Sequence, residues 1–269
     1  MNIAIAYFGL PRNTALCMPS IQSQIYEQLP ASAVAKSYYH FYMQSSVDNP
    51  RSGEVGAFDP GNYEPFKQMT GLIEQPNDCL TRWEFDTIKT YGDTWKDGFK
   101  SISNLLHQLH SLREVTQLLQ EFDPEVILFL RPDLIYHDPL PPEVLTACQR
   151  NPNAAYIPHW QWWNGVNDRF SVCGRRAYAT YGRRIERAIQ FCESQNRPLN
   201  SERLLKYALQ EGGAALRTLD VRASRVRING QMADETFSHK RSMGKRQNRF
   251  TLPMARLRAL ADKIQYRKR

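Results

Sequence analysis

The sequence predicts an α/β protein whose mostly parallel central sheet is flanked by helices. Short apolar runs rich in strand-forming residues recur along the chain, and one of them is followed at once by a charged turn. A long helix with one apolar face ends in a tight turn directly before that strand. Helix, turn and apolar strand in this order form the second half of a βαβ crossover, which joins parallel strands.

The beginning of the chain predicts a strand followed by a helix. Residues 2–8 are apolar and end at Gly9, which opens the turn Gly-Leu-Pro-Arg. Asn13 or Thr14 can cap the helix that follows, which runs to about Leu29. The apolar opening has no basic segment before it, so we interpret it as the first strand and not as a signal peptide.

A second strand-like run, residues 34–43, precedes a long irregular segment. Residues 45–93 contain scattered Pro, Gly and Asn and show no clear period. We interpret residues 48–71 as a surface excursion and residues 77–90 as partly ordered. A loop of this length in a compact domain is usually functional or mobile.

The clearest helix covers residues 101–121, where leucines recur at three- and four-residue spacing along one face. His107 and His110 fall near the flanks of that face, so we expect both to be exposed. Residues 125–130 then form a buried strand, which Pro132 ends because proline cannot donate to a sheet ladder.

The last third of the chain alternates helices and strands. Asn200 or Ser201 caps one of these helices, and a Gly-Gly pair ends it. In chain order we predict a short helix within 139–153, a strand at 154–158, a helix at 177–192, the capped helix, and late strands at 216–221 and 225–228.

Composition limits the function classes. With 269 residues the chain can form one large domain or two small ones, and no apolar run approaches the roughly 18 residues that a membrane span needs. The five cysteines are odd in number and form no Cys-x-x-Cys pair. This pattern predicts a reduced, cytoplasmic protein without a zinc site.

The positive charge is confined to one end. Residues 240–269 contain eleven Lys or Arg residues and one acidic residue, whereas residues 1–239 are nearly neutral. We therefore predict a domain at 1–239 and a basic tail at 240–269. Leu257, Leu260 and Ile264 recur at helical spacing, which suits a basic amphipathic helix on an anionic membrane surface. A disordered, solubilising tail is the alternative.

The charged turn after the strand at 125–130 is the first candidate site. Asp133 is delivered to the carboxyl edge of the sheet, where α/β folds bind their ligands. A carboxylate there can hold a divalent cation, which in turn can hold a diphosphate. Gly9 and Arg12 lie at the corresponding end of the first strand and suit a phosphate. The alternatives are an Arg131–Asp133 ion pair that closes the strand and a solvated Arg12.

The densest aromatic and polar stretch, residues 159–170, is the second candidate site. Aromatic faces stack on sugar rings, and amides with carboxylates bracket hydroxyl groups. A carboxylate in an aromatic cleft can also act as a general base, a role that we assign to Asp168. The alternative places the tryptophans in the core. The neighbours of Asp168 in this stretch are Trp160, Trp162, Trp163, Asn164 and Asn167.

Four further residues have both a functional and an ordinary interpretation. Glu202 is a candidate base or acceptor-binding residue, although an acid in a first helical turn also favours the helix dipole. Asp138 is a second metal ligand or, as we favour, a turn former. His159 and His239 could complete a metal site, but a single histidine is more often ordinary surface or core.

These motifs, in this order, resemble those of bacterial and viral surface-polysaccharide glycosyltransferases. The first strand with Gly9-x-x-Arg12 is similar to the start of that family. Leu-Arg-Pro-Asp133 resembles its metal-binding motif, except that Arg131 stands where the usual Asp-x-Asp has its first carboxylate. Asn164-Gly-Val-Asn-Asp168 resembles its acceptor motif, and Asn200-Ser-Glu202 resembles a later helix start. The similarity covers roughly residues 1–220.

The resemblance implies a GT-A-like, Rossmann-type fold and transfer of a sugar from a nucleotide-diphosphate donor to a surface glycan or glycolipid. It also implies Mn²⁺ or Mg²⁺, with Asp133 as the ligand. The site residues that we predict are Gly9, Arg12, Arg131 and Asp133 for the donor, Trp162, Trp163, Asn164 and Asn167 for the acceptor, and Asp168 and Glu202 for catalysis.

Two other functions remain open from sequence. A different nucleotide-dependent transferase, such as a sulfotransferase, would need a phosphate-binding Lys-Ser/Thr loop after the first strand, and that loop is absent from the sequence. A nucleic-acid-binding protein would use the basic tail, but few aromatic residues lie among its basic residues, so this partner is disfavoured.

Overall fold

The computed structural model describes residues 1–49 and 52–238. None of the helices described is long and apolar enough to cross a membrane. The predictions for residues 240–269 and for His239 lie outside the described residues.

The strands are β1 (Asn2–Phe8), β2 (Val34–Tyr42), β3 (Ser46–Asn49), β4 (Glu54–Ala57), β5 (Thr70–Glu74), β6 (Val126–Leu130), β7 (Leu134–Tyr136), β8 (Ala154–Pro158), β9 (Ser171–Gly174), β10 (Ala215–Leu219) and β11 (Ala223–Arg225). The α-helices are α1 (Thr14–Gln24), α2 (Cys79–Arg82), α3 (Phe85–Lys89), α4 (Lys100–Leu118), α5 (Pro142–Arg150), α6 (Ala177–Gly182), α7 (Ala188–Gln195) and α8 (Ser201–Glu211).

Seven strands form the central sheet in the order β10-β8-β9-β6-β1-β2-β5. Neighbouring strands are parallel, except where β9 pairs antiparallel with β6 and β8. Within it, β1 lies between β2 and β6, and Ala6 is in register with Tyr38 on one side and Phe129 on the other. This mostly parallel sheet, flanked by helices, confirms the predicted α/β fold class.

The first strand is buried on both faces of the sheet. Side chains alternate along a strand, so successive residues of β1 enter two different core clusters. Ala4 and Phe8 pack with the apolar face of α4. Ile3 and Ile5 pack on the opposite side with Ile21 of α1. Helices on both faces explain why β1 reads as a continuous apolar run in the sequence.

Helix α4 confirms the predicted apolar face but not the predicted exposure of its histidines. Ile102 and Leu106 have no exposed surface, as the periodicity predicts. His110, expected to be exposed, is fully buried. The Trp83 indole nitrogen donates a hydrogen bond of 3.1 Å to its Nδ1 atom, which offsets the cost of burying this polar atom. His107 is partly buried and bonds the Ser103 carbonyl at 2.9 Å. A polar partner on a different segment makes this burial possible, and periodicity alone does not reveal such a partner.

The segment predicted to be irregular contains three strands. β3 and β4 form an antiparallel hairpin, and β5 adds an edge strand to the central sheet beside β2. β5 is mostly exposed and contains Gly71, so it lacks the apolar run of a buried strand. A Cβ atom on Gly71 would lie 2.2 Å from the Tyr39 carbonyl oxygen, which shows how closely the two backbones approach.

Three other details differ from the sequence predictions. Asn13 precedes α1 in a left-handed conformation with φ of 47° and makes no side-chain cap; its amide instead donates to the Arg227 carbonyl oxygen at 2.6 Å. The helix predicted at 177–192 is divided into α6, a 3₁₀ turn and α7. β9 was not predicted, because its four residues, Ser-Val-Cys-Gly, follow the aromatic stretch without a turn signal.

We expect Leu109→Ala to destabilise the protein by about 2–5 kcal/mol, because it removes buried methyl groups and leaves a cavity between α4 and the sheet. Leu109 has no exposed surface. Leu118 lies on the same helix and is 38% exposed, so Leu118→Ala serves as the control, with an expected loss below about 1 kcal/mol. Urea unfolding of both variants tests this. Equal losses would contradict the assignment of the buried face.

Candidate active site

The candidate site lies at the carboxyl edge of the central sheet. The parallel strands β1, β6 and β8 end at this edge, and the antiparallel strand β9 begins there. The segments that follow or precede these strand ends carry most of the residues predicted from sequence. The topology thus brings residues 9–12, 131–133 and 159–170 to one side of the molecule.

Gly9 occupies a backbone conformation that favours glycine, with φ of 90°. Its N–H donates to the Ser111 hydroxyl at 3.0 Å, and that hydroxyl donates to the His40 carbonyl oxygen at 2.5 Å. These bonds join the turn after β1 to helix α4 and strand β2. A side chain at position 9 would strain the turn, because L-residues rarely adopt this φ.

Asp133 is fully buried between two arginines. Its Oδ2 atom accepts hydrogen bonds from Arg12 at 2.5 Å and from Arg131 at 2.8 Å, and its Oδ1 atom accepts the Nε–H of Arg131 at 3.0 Å. Gln108 accepts a further hydrogen bond from Arg131 at 2.9 Å. Burial alone would raise the pKa of Asp133, but the two guanidinium groups hold that pKa well below its ordinary range.

The divalent cation that we predicted at Asp133 does not fit this arrangement. Both carboxylate oxygens already accept hydrogen bonds from guanidinium groups. A cation would have to displace Arg12 or Arg131 and would then lie beside the positive charge that remains. In the part of the chain that the structure describes, no group of three or more His, Cys, Asp or Glu side chains could hold a metal ion. The structure therefore shows Asp133 as a partner of arginines, and its role as a metal ligand stays a prediction that this pairing does not favour.

The Arg12–Asp133 pair belongs to a longer series of ion pairs, here called the Asp133 chain. Arg12 also donates to Glu54 at 2.7 Å, and Arg227 donates to the other oxygen of Glu54 at 2.7 Å. The order along the chain is Arg227, Glu54, Arg12, Asp133, Arg131. Burial would raise the pKa of Glu54, but Arg12, two hydrogen bonds and Arg227 lower it. The series joins four separate segments of the sequence.

A second series, here called the Glu235 chain, lies at the same edge. Glu235 accepts hydrogen bonds from Arg225 and Arg169, each at 3.0 Å, and from the Gln161 amide at 2.8 Å. The Arg169 guanidinium lies 4.8 Å from the centre of the Trp160 ring. Burial, followed by the nearby Arg225 charge, lowers the pKa of Arg169 to about 10.

Sequence reasoning missed five members of these chains. Glu54 lies in the segment that we predicted to be irregular, and Glu235 lies beyond the last predicted strand. For Arg225 and Arg227 the sequence offered one indication. They flank a buried valine in a strand-like run, and side chains two residues apart on a strand lie on the same face. The fifth member, Arg169, follows the predicted base directly and gave no signal of its own.

The aromatic stretch divides into core and surface residues. Trp160 is fully buried, and its indole nitrogen donates to the Val221 carbonyl oxygen at 2.9 Å. Trp162 is partly buried, with its indole nitrogen bonded to the Pro158 carbonyl oxygen at 2.6 Å. Trp163 is 44% exposed. The core interpretation thus holds for one tryptophan, while the other two remain at the surface beside the candidate site.

The two asparagines of this stretch have different environments. Asn164 is exposed and has φ of 59°. Asn167 is 2% exposed; its amide donates to the Trp160 carbonyl oxygen, and its side-chain oxygen accepts the Arg169 N–H, both at 3.0 Å. These bonds use Asn167 to hold the loop. Its role in substrate binding stays a prediction, and with these bonds in place the side chain has little exposed surface to offer a ligand.

Asp168 is half-buried and lies in space beside Ser201, the first residue of helix α8. The Ser201 hydroxyl donates to its carboxylate, and the Tyr181 hydroxyl donates to its backbone oxygen at 3.3 Å. A Cβ atom on Gly165 would lie 2.1 Å from the Glu202 carbonyl carbon, so the loop packs directly on the first turn of α8. Asp168 and Glu202 therefore lie on adjacent segments.

Two other candidates lie in ordinary ion pairs. His159 forms a pair with Asp220 at 3.3 Å and bonds the Leu219 carbonyl oxygen at the same distance. Asp138 accepts three hydrogen bonds of 2.7–2.9 Å from Arg222, consistent with the turn role that we favoured. The side-chain hydrogen bond from Arg222 lowers the pKa of Asp138.

Comparison with known proteins identifies no family. No family model matches this chain, and no curated protein matches its sequence. Among solved structures, a galactosyltransferase, LgtC in complex with donor and acceptor sugar analogues, matches with a TM-score of 0.39 and 9% identity. The match covers 81% of this chain and 73% of that one. A TM-score this low carries no argument about family or activity, so the fold class rests on the sheet topology.

We expect Asp133→Asn to destabilise the protein by about 3–5 kcal/mol at pH 7, because it removes the carboxylate partner of Arg131 and leaves the buried Arg12 with Glu54 alone. Asp138→Asn, in a pair whose arginine is 50% exposed, is the control and should cost less than about 1 kcal/mol. Urea unfolding measures both losses. Similar losses in the two variants would contradict the central position of Asp133.

The difference in stability between wild type and Asp133→Asn should depend on pH. Because the pKa of Asp133 is lowered in the folded state, its stabilising contribution is complete above its ordinary pKa of about 4. The contribution is then lost as the pH falls through the folded-state value. The stability difference between wild type and Asp133→Asn should therefore be constant from pH 7 to 5 and shrink below pH 4 in thermal unfolding.

Proposed function

We propose that this protein is a glycosyltransferase that moves a sugar from a nucleotide-diphosphate donor to a surface-glycan acceptor. The observation that carries the proposal is the meeting of two different surfaces at one sheet edge. A cluster of arginines lies at the ends of β1 and β6, and a loop with an exposed tryptophan and a carboxylate lies beside it. Burial lowers the pKa of Arg131, whereas Asp133 and, more weakly, Asp168 raise it, so Asp168 lies within electrostatic range of that guanidinium.

The donor is assigned to the Gly9, Arg12 and Arg131 side of the site. Arginine guanidinium groups match the geometry of phosphate oxygens and bind them bidentately. Arg131 retains some exposed surface, whereas Arg12 is 5% exposed and its two terminal nitrogens donate to Glu54 and Asp133. In this proposal Arg131 contacts the donor, and Arg12 acts by holding the carboxylates that orient the other arginines.

The acceptor is assigned to the loop at residues 162–168. An exposed indole such as Trp163 offers an apolar face for a sugar ring, and the exposed amide of Asn164 offers hydrogen bonds to hydroxyl groups. Trp162 borders this surface. Since Glu202 lies on the helix turn against which the loop packs, it can contact an acceptor that reaches Asp168.

The chemical step follows from these positions if the anomeric configuration is inverted. Asp168 accepts the proton of the acceptor hydroxyl, and the oxygen forms a bond to the anomeric carbon. The bond from that carbon to the diphosphate oxygen breaks, and its electron pair leaves with the nucleoside diphosphate. Arg131 stabilises the negative charge that develops there. In a retaining reaction Asp168 need not accept this proton.

The cellular setting of this proposal is the cytoplasmic face of a membrane that carries the glycan acceptor. The basic charge of residues 240–269 supports it, because each Lys or Arg near an anionic surface contributes about 1 kcal/mol of attraction. The part of the chain before this tail is nearly neutral. A lipid-linked acceptor would thus be reached by a protein held at the surface through its tail.

The experiment that tests the proposed function is a donor screen. Thermal unfolding is measured with a panel of nucleotide-diphosphate sugars, with the matching nucleoside monophosphates, with adenosine 3′,5′-bisphosphate and with free sugars. We expect one or more diphosphate sugars to raise the melting temperature, since ligands that bind only the folded state stabilise it. Stabilisation by adenosine 3′,5′-bisphosphate alone would support a sulfotransferase instead.

Asp168→Asn should lower the transfer rate by at least about 100-fold, because the amide keeps the shape of the side chain but cannot accept the proton. Donor affinity, measured by calorimetry, should stay within about twofold, because Asp168 does not bind the diphosphate. Glu202→Gln provides the comparison. Near-normal turnover in Asp168→Asn with loss of turnover in Glu202→Gln would transfer the role of base to Glu202.

A further inference from the structure

Residues 223–238, here called the strap, cross the candidate site after the last strand of the central sheet. β11 pairs antiparallel with β7, and the Val226 N–H donates to the Asp133 backbone oxygen at 2.9 Å. The Ile228 N–H donates to Glu54 at 3.0 Å. These bonds fix the strap directly beside Asp133. The strap supplies Arg225 and Glu235 to the Glu235 chain and Arg227 to the Asp133 chain.

In both series of ion pairs the carboxylates are buried, and the arginines at the ends are partly exposed. The side chains of Asp133, Glu235 and Glu54 are only 0%, 2% and 5% exposed. The arginines at the chain ends are more open: Arg131 is 12% exposed, Arg227 22% and Arg225 28%. A ligand that approaches this edge therefore meets guanidinium groups, while the carboxylates lie behind them.

The two chains contain more positive than negative charge. They join five arginines to three carboxylates through ion pairs of 2.5–3.0 Å. Arg225 and Arg227 flank Val226, whose N–H bonds the Asp133 backbone oxygen, so both lie beside the segment that carries Arg131. Burial lowers the pKa of Arg225 and Glu235 raises it, and the charges of Arg131 and Arg227 lower it further. Three like charges at one edge of the sheet repel each other, and a bound anion would relieve that repulsion.

We propose that Arg131, Arg225 and Arg227 together bind the diphosphate of the donor, in place of a cation held by Asp133. This inference rests on the glycosyltransferase function proposed above and assigns the strap to the donor site. A diphosphate carries negative charge on both phosphoryl groups, and the charges of three guanidinium groups, with the N–H groups that the carboxylates leave over, can neutralise it without a metal ion. Asp133 is then a positioning residue, which holds Arg12 and Arg131 in place and touches no substrate.

The test is calorimetric titration of the full chain with UDP, GDP, ADP, CDP and dTDP, each in EDTA and again with Mn²⁺. The variant is Arg225→Gln with Arg227→Gln. It should fold, because Glu235 keeps Arg169 and Glu54 keeps Arg12. Arg217→Gln with Arg222→Gln is the matched control: it also removes two positive charges, from exposed or half-exposed positions outside both chains. Thermal unfolding checks each variant, and single substitutions replace a double variant that lacks a cooperative transition.

We expect wild type to bind at least one of these nucleotides in EDTA and the Arg225→Gln, Arg227→Gln variant to bind it about tenfold or more weakly. The control should match wild type. If wild type binds only with Mn²⁺, or if both double variants bind equally, the arginine site is wrong while a donor-binding function remains. If wild type binds none of the nucleotides under either condition, the proposed function fails together with this inference.

Discussion

The buried carboxylate of Asp133, held between two guanidinium groups, is the interaction on which the rest of the site depends. A charge without exposed surface is costly unless it is fully paired and hydrogen-bonded, and Asp133 accepts hydrogen bonds on both oxygens. Through Arg12 it also fixes Glu54, and through Glu54 it fixes Arg227 of the strap. One carboxylate thereby connects the ends of two central strands to a hairpin and to the strap.

This constraint decides between two interpretations of the same residue. A carboxylate at the carboxyl edge of a parallel sheet suits a metal ion when its oxygens are open to solvent. In this protein Arg131 occupies the preceding polar position and donates to both oxygens of Asp133. The surplus positive charge at the edge then comes from arginines, and in the proposed donor site it would serve the electrostatic purpose that a cation serves with a diphosphate ligand.

The sequence predicted the elements whose stability is local or whose burial is continuous. Continuous apolar runs predicted the strands at residues 2–8 and 126–130, and the spacing of apolar residues predicted the helix α4, because both patterns follow directly from burial. Asp133 was placed at the correct edge for the same reason. β5 was missed because an exposed edge strand carries no apolar run.

What the sequence could not supply was the pairing of distant charges. Glu54 and Glu235 lie in segments without regular patterning, and their arginine partners are separated from them by ten to 173 positions. Asn167 illustrates the same limit on a smaller scale: its residue type suits a ligand, but two bonds within its own loop use the side chain. Such pairings depend on the fold as a whole, whereas residue type and spacing report only the local environment.

A crystal structure with a bound nucleoside diphosphate, grown without divalent cations, is the direct test of whether arginines, and not a cation at Asp133, bind the diphosphate. The nucleotide is the one that gives the largest stabilisation in solution. We expect phosphoryl oxygens to lie within hydrogen-bond distance of Arg131 and of the strap arginines, with Asp133 still paired to Arg12. A diphosphate that binds away from these arginines, or one that binds only with a cation coordinated by Asp133 after Arg12 or Arg131 has moved, would contradict it.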